Sequence, residues 1–175
     1  MNQRPAPTEY APVYENYVSL VPEDAILPVL TGQIELLRRV ANSVPAERES
    51  FRYAPEKWSV RELFGHLTDA ERVFGYRAFC ISRGEPQGLP GFDENSYVAH
   101  AGFDRQSLES LVGDFTALRG VNLSALRRLE PEAWGQVGHA NNHPVTVRAL
   151  AYIMAGHARH HLKILRERYE VGIGA

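Results

Sequence analysis

Apolar residues return at the 3.6-residue period of an amphipathic helix in four stretches of this chain. The first spans about residues 23–42. Ile26, Leu27, Leu30, Ile34, Leu37 and Val40 form its stripe, and Pro28 falls within the opening turn, where a helix tolerates it. The second spans about residues 59–83, with Leu63, His66, Leu67, Ala70, Val73, Phe74 and Arg77 on one face. Its start is the clearest local signal. Ser59-Val60-Arg61-Glu62 is a capping box, in which Ser59 and Glu62 each satisfy an orphan backbone N–H, and Trp58 with Leu63 makes a hydrophobic staple. The third spans about residues 105–129, with Asp104 as its expected N-cap and Leu108, Leu111, Val112, Phe115, Leu118 and Leu126 as its stripe. The fourth spans about residues 147–169. Thr146 caps it, a Gly172/Gly174 tail ends it, and Leu150, Met154, His157, His161, Ile164 and Leu165 share one side.

The connections differ in kind. Residues 43–58 and 130–145 are interrupted by proline and glycine, and residues 84–104 form the longest link. A link of that length runs the height of a bundle and lets the second and third helices lie parallel. Asp93 to Ala99 reads as one helical turn inside it, and no segment alternates with period two. The expectation is an all-α fold: one four-helix bundle with a long crossover between helices 2 and 3.

Composition narrows the class. Of 175 residues, 44% are hydrophobic and 23% charged, which suits a globular domain and excludes disordered, collagenous and disulfide-scaffold chains. A net charge of −2 supplies no basic face for nucleic acid. Cys80 is the only cysteine, so no intrachain disulfide forms and a reducing cytoplasm fits. No apolar run approaches the ~20 residues of a membrane span, and the start lacks a signal-peptide shape. Residues 1–20, with Pro5, Pro7 and Pro12, read as an extended arm on a single domain covering residues 1–175.

The chemistry lies in seven histidines: His66, His100, His139, His143, His157, His160 and His161. His157 and His161 stand four residues apart and share a helix face; His157 and His160 are a competing pair at three. The stripe through Met154 and Leu165 favours His157 and His161. His66, on the apolar face of the second helix, supplies the third ligand. His66 lies ~10 Å from the start of its helix and His161 ~10 Å from the end of its own, at 1.5 Å per residue. Antiparallel helices therefore bring all three imidazoles to one level. Three neutral imidazoles suit zinc, nickel, iron(II) or cobalt(II) and leave a coordination position open, the pattern of a catalytic site.

Other candidates follow from that topology. The far end of the crossover reaches the histidine end, which makes Asn95, Tyr97 and His100 pocket candidates. The 130–145 connection falls at the opposite end, which demotes Asn141, Asn142 and His143. Glu62 and Asp69 are close enough in sequence to His66 to orient its ring, and Cys80 reads as a packing residue.

The run Lys57-Trp58-Ser59-Val60-Arg61-Glu62-Leu63-Phe64-Gly65-His66-Leu67 resembles the second-helix motif of the DinB-like superfamily, in its YfiT branch. So do Pro144 to Tyr152 and Gly156-His157-Ala158-Arg159-His160-His161. The resemblance implies an up-down-down-up bundle, a metal triad of His66, His157 and His161, a divalent ion such as zinc or nickel, and homodimers. It implies a small-molecule substrate and two chemistries. The leading expectation is transfer of a low-molecular-weight thiol, such as bacillithiol or mycothiol, to an electrophile in stress response or detoxification. The alternative is a metal-dependent hydrolase whose ion provides hydroxide. A non-catalytic metal- or small-molecule-binding bundle is the rival of another class.

Overall fold

The computed structural model describes residues 3–172, so Gly174 of the expected helix-ending tail lies outside them. In chain order the elements are α1 (Glu15–Val18), α2 (Ile26–Asn42), α3 (Val60–Ser82), α4 (Glu94–Ala101), α5 (Leu108–Leu126), β1 (Val137–Ala140), β2 (His143–Thr146) and α6 (Val147–Arg168). The bundle is α2, α3, α5 and α6.

Contacts along the helices give their directions. Tyr169 Oη donates to the Trp58 carbonyl at 2.6 Å and the His66 ring lies 4.8 Å from that of His161, while Phe74 faces His157, so α3 and α6 run antiparallel. Thr68 Oγ1 reaches the Leu111 carbonyl, and Glu71 pairs with Arg119, so α3 and α5 run parallel. Arg119 reaches back to Gln33 and Arg127 to Thr31, which sets α2 and α5 antiparallel. Gln33 Nε2 donates to the Ala155 carbonyl and Ser43 to that of Gly172, so α2 and α6 run parallel. The order is up-down-down-up, and the 84–107 connection carries the chain back along the bundle.

The expected stripes become the core. Leu30, Leu37, Leu63, Leu67, Leu111, Phe115, Leu150 and Leu165 are each at most 2% exposed, and burying one such side chain stabilises the fold by about 1.5–3 kcal/mol. A fully buried Arg119–Glu71 pair crosses this core, with Gln33 and Asn122 completing its hydrogen bonds. The capping box at Ser59 forms as expected: the Ser59 hydroxyl accepts from Glu62 N, and Glu62 accepts from Ser59 N.

Four local expectations need correction. The third helix starts later than its stripe suggested. Ser107, not Asp104, caps it, because Asp104 is engaged by the Ser59 hydroxyl at 2.5 Å and by Arg52 at 2.7 Å. The turn expected at 93–99 is an eight-residue helix capped by Asp93. The 130–145 connection contains a β-hairpin, although no period-two pattern was visible in so short a strand. Asn141 and Asn142, with φ of 51° and 63°, make its two-residue turn, the primed geometry that matches strand twist. Finally, the N-terminal arm is not extended. Two 3-10 turns and α1 carry it along α6, with Glu9 bound to Thr146 and Arg148, and Tyr10, Ala11 and Val18 buried. Gly156 permits that docking: a Cβ there would stand 2.0 Å from the Tyr17 carbonyl oxygen.

Candidate metal centre

The antiparallel α3/α6 seam brings His66, His157 and His161 together, as their spacing on the two apolar faces requires. One nitrogen from each lies within 4.8 Å of the others. His157 Nε2 stands 3.0 Å from His66 Nε2 and 3.1 Å from His161 Nε2. Three nitrogens bound to one ion at ~2.0–2.1 Å and tetrahedral angles would be about 3.3 Å apart; the two separations from His157 agree within a few tenths of an ångström, and the third pair lies within 4.8 Å. Without an ion, the single in-plane site of His157 Nε2, lone pair or N–H, would have to serve two ring nitrogens at once.

All three rings are buried, and burial disfavours the imidazolium form. It pushes His66 down to about 4, and holds His157 and His161 well below the ordinary histidine range, with the neighbouring imidazoles adding to the effect. The triad is therefore neutral at physiological pH, as ligation requires. Packing holds the rings in place. Trp58 lies 4.6 Å from His66, and Phe74 and Tyr17 meet His157 edge-on at 5.7 and 5.3 Å. Among the described residues the buried His161 Nδ1 has no hydrogen-bond partner, so packing and the contact at Nε2 orient this ring.

The triad lies in a cleft of about 420 Å³. The arm contributes Tyr17, α3 contributes Phe74 and Arg77, the crossover Phe92 and Glu94, the hairpin turn Asn141, and α6 His160. Burial pushes the Tyr17 phenol up, and burial followed by Lys163 draws His160 down. His160 is half-buried and stacks edge-on against Tyr17 and His161 at 5.4 and 5.1 Å, so it flanks the triad without joining it.

The other expected residues divide. Asn95 borders His161 in a neighbouring hollow beside Trp58. Tyr97 is 48% exposed and packs against Phe92 at 5.3 Å, one layer outside the cleft. His100 bonds the Ser96 carbonyl and faces solvent. Neither Glu62 nor Asp69 serves the histidines, since Glu62 is taken by the cap and Arg52 and Asp69 by Arg72. Cys80 is buried in the core. The placement of the 130–145 segment away from the site is corrected for Asn141. Leu89 N donates to the His139 carbonyl and Asn141 N to that of Leu89, so the crossover ties the hairpin turn to the cleft. The consecutive asparagines were a usable turn signal, but nothing local indicated where the turn would dock.

The family model of the DinB superfamily matches residues 30–165, which include all four bundle helices apart from their outermost turns and all three histidines. The chain belongs to the DinB superfamily. This DinB protein also shares its fold with a solved structure from Bacillus subtilis, YfiT, described as a probable metal-dependent hydrolase with an unusual four-helix bundle topology. The TM-score is 0.75 at 16% identity, over 84% of this chain and 87% of that one. No curated protein sequence matches. Among the described residues, no helix is long and apolar enough to cross a membrane.

Proposed function

We infer that this DinB protein is a metal-dependent hydrolase acting on a small molecule held in the cleft, with His66, His157 and His161 as the metal ligands. The observation that carries the reading is the convergence of three neutral, buried Nε2 atoms inside an open cleft. The fold-level likeness to YfiT supports it. A divalent ion held by His66, His157 and His161 would supply Lewis acidity, making a water more acidic and a carbonyl more electrophilic. The chain's own groups complete the chemistry. His160, which burial keeps neutral at pH 7, takes up the proton that the water gives up, and Glu94 lines the same cleft. Tyr17 stays a neutral phenol and donates a hydrogen bond to developing negative charge. Phe74 and Phe92 exclude water from an apolar substrate body.

The test is a pair of assays on protein loaded with zinc or nickel, beside His157→Ala. Ester and amide cleavage without thiol, lost in the variant, supports hydrolysis. Consumption of an electrophile only when a low-molecular-weight thiol is present replaces it with thiol transfer. Full metal occupancy with neither reaction leaves a binding bundle.

A further inference from the structure

The cleft holds a buried cation that no carboxylate neutralises among the described residues. Two arginines are almost fully enclosed, Arg77 at 3% exposure and Arg119 at 1%. Arg119 is neutralised by two bonds to Glu71, at 2.8 and 2.9 Å, with Gln33 and the Leu30 carbonyl taking its remaining nitrogen. Arg77 makes one hydrogen bond among the described residues, from Nη2 to the Pro90 carbonyl at 2.6 Å, and no ion pair. Arg77 lines the cleft, as do Phe74 and Phe92, the two aromatic rings that flank its guanidinium.

An enclosed charge without a counter-charge is destabilising. Tethering the crossover at Pro90 uses one donor of five and requires no charge. Pro90 takes one N–H of Nη2, so one guanidinium edge, Nε with Nη2 or Nη1 with Nη2, keeps both of its N–H groups for a carboxylate. Its surroundings strengthen such a pair: the Phe74 and Phe92 rings lie 5.9 and 6.0 Å from the guanidinium carbon, which lowers the local dielectric. The carboxylate lining the cleft, Glu94, is exposed and makes no ion pair with Arg77. The Phe74 ring also lies 5.7 Å from His157, so guanidinium and triad are at most about 12 Å apart across one shared ring.

We propose that Arg77 is an anion subsite of this cleft and that the ligand is a small carboxylate with an apolar body lying between Phe74 and Phe92. Only the further step, that the ligand's other end reacts at the triad, rests on the hydrolase reading.

The test titrates benzoate, benzamide and inorganic phosphate into zinc-loaded protein by calorimetry, with the ring resonances of Phe74 and Phe92 followed by NMR. Benzoate should outbind its neutral isostere by roughly tenfold or more, the loss expected for one charge-assisted pair, and should shift both rings. Arg77→Met should abolish the preference, and His157→Ala should retain it. Equal binding of benzoate and benzamide by the parent protein overturns the subsite, and that comparison stands even if Arg77→Met fails to fold. A preference that survives Arg77→Met, or disappears in His157→Ala, also overturns it, the latter by placing the carboxylate at the triad. Phosphate binding tighter than benzoate overturns the carboxylate class. An intact preference beside failed hydrolysis removes the hydrolase reading and leaves the subsite standing.

Discussion

Replacing Gly156 with alanine sets two known effects against each other. In a helix interior, Gly→Ala ordinarily stabilises by about 0.5–1 kcal/mol through lost chain entropy. At Gly156 the new methyl would meet the Tyr17 carbonyl oxygen at 2.0 Å and its carbonyl carbon at 2.5 Å. The obstacle is backbone, held on both sides by Glu9 on Arg148 and by Arg159 on the Leu20 carbonyl, so it cannot swing aside like a side chain tip. Overpacking of this kind costs about 1–3 kcal/mol. The clash should win, with a net loss of about 1–2 kcal/mol. Gly113 is the control, since an added Cβ there meets nothing within 4 Å; Gly113→Ala should stabilise by about 0.5–1 kcal/mol. Urea unfolding followed by circular dichroism reads both variants, and the two signs should be opposite. Metal loaded into the protein should be retained by Gly156→Ala, because the proposed ligands sit on α3 and α6 rather than on the arm. If Gly156→Ala proves as stabilising as Gly113→Ala, the arm does not lie on α6, and Tyr17 leaves the cleft with it.

Dialysis followed by elemental analysis should show most metal lost from His66→Ala, His157→Ala and His161→Ala but retained by His160→Ala; a site emptied by His160→Ala with His161→Ala still loaded would reverse the register of α6. For metal-free protein, the linkage has a definite sign. Burial holds His66 at about 4 against 6.5 in the unfolded chain, so between these values the unfolded state binds more protons and stability falls as pH is lowered. The loss should approach about 3 kcal/mol from His66 alone, with His157 and His161 adding in the same direction; denaturation midpoints that stay flat from pH 7 to 4 would mean the rings are not buried as neutral groups. Removing Glu71 leaves the Arg119 guanidinium enclosed and uncompensated, so Glu71→Ala should destabilise by about 3–5 kcal/mol, whereas Glu71→Met with Arg119→Met should recover much of that loss. Equal losses in the single and double variants, measured by the same urea titration, would argue against an uncompensated charge as the cause.

The bundle and its triad were legible because both rest on helical geometry, which is local. A 3.6-residue period places His157 and His161 on the stripe of Met154 and Leu165, and turns His160 aside by ~100°. The length of the 84–104 connection contained the parallel pairing of α3 and α5, and through it the antiparallel seam that meets His66. The cleft around the triad was not legible. Its walls come from the arm at Tyr17, the crossover at Phe92 and Glu94 and the hairpin turn at Asn141, segments without helical period whose positions depend on contacts far apart in the chain. Arg77 shows the division within a single helix. Periodicity put it on the buried face of α3 beside Phe74, but only the folded arrangement shows Glu71 paired with Arg119 and Arg77 left without an acidic partner among the described residues. Spacing along one helix determines which side chains point inward, whereas the balance of charge in the space they enter depends on every element that packs there.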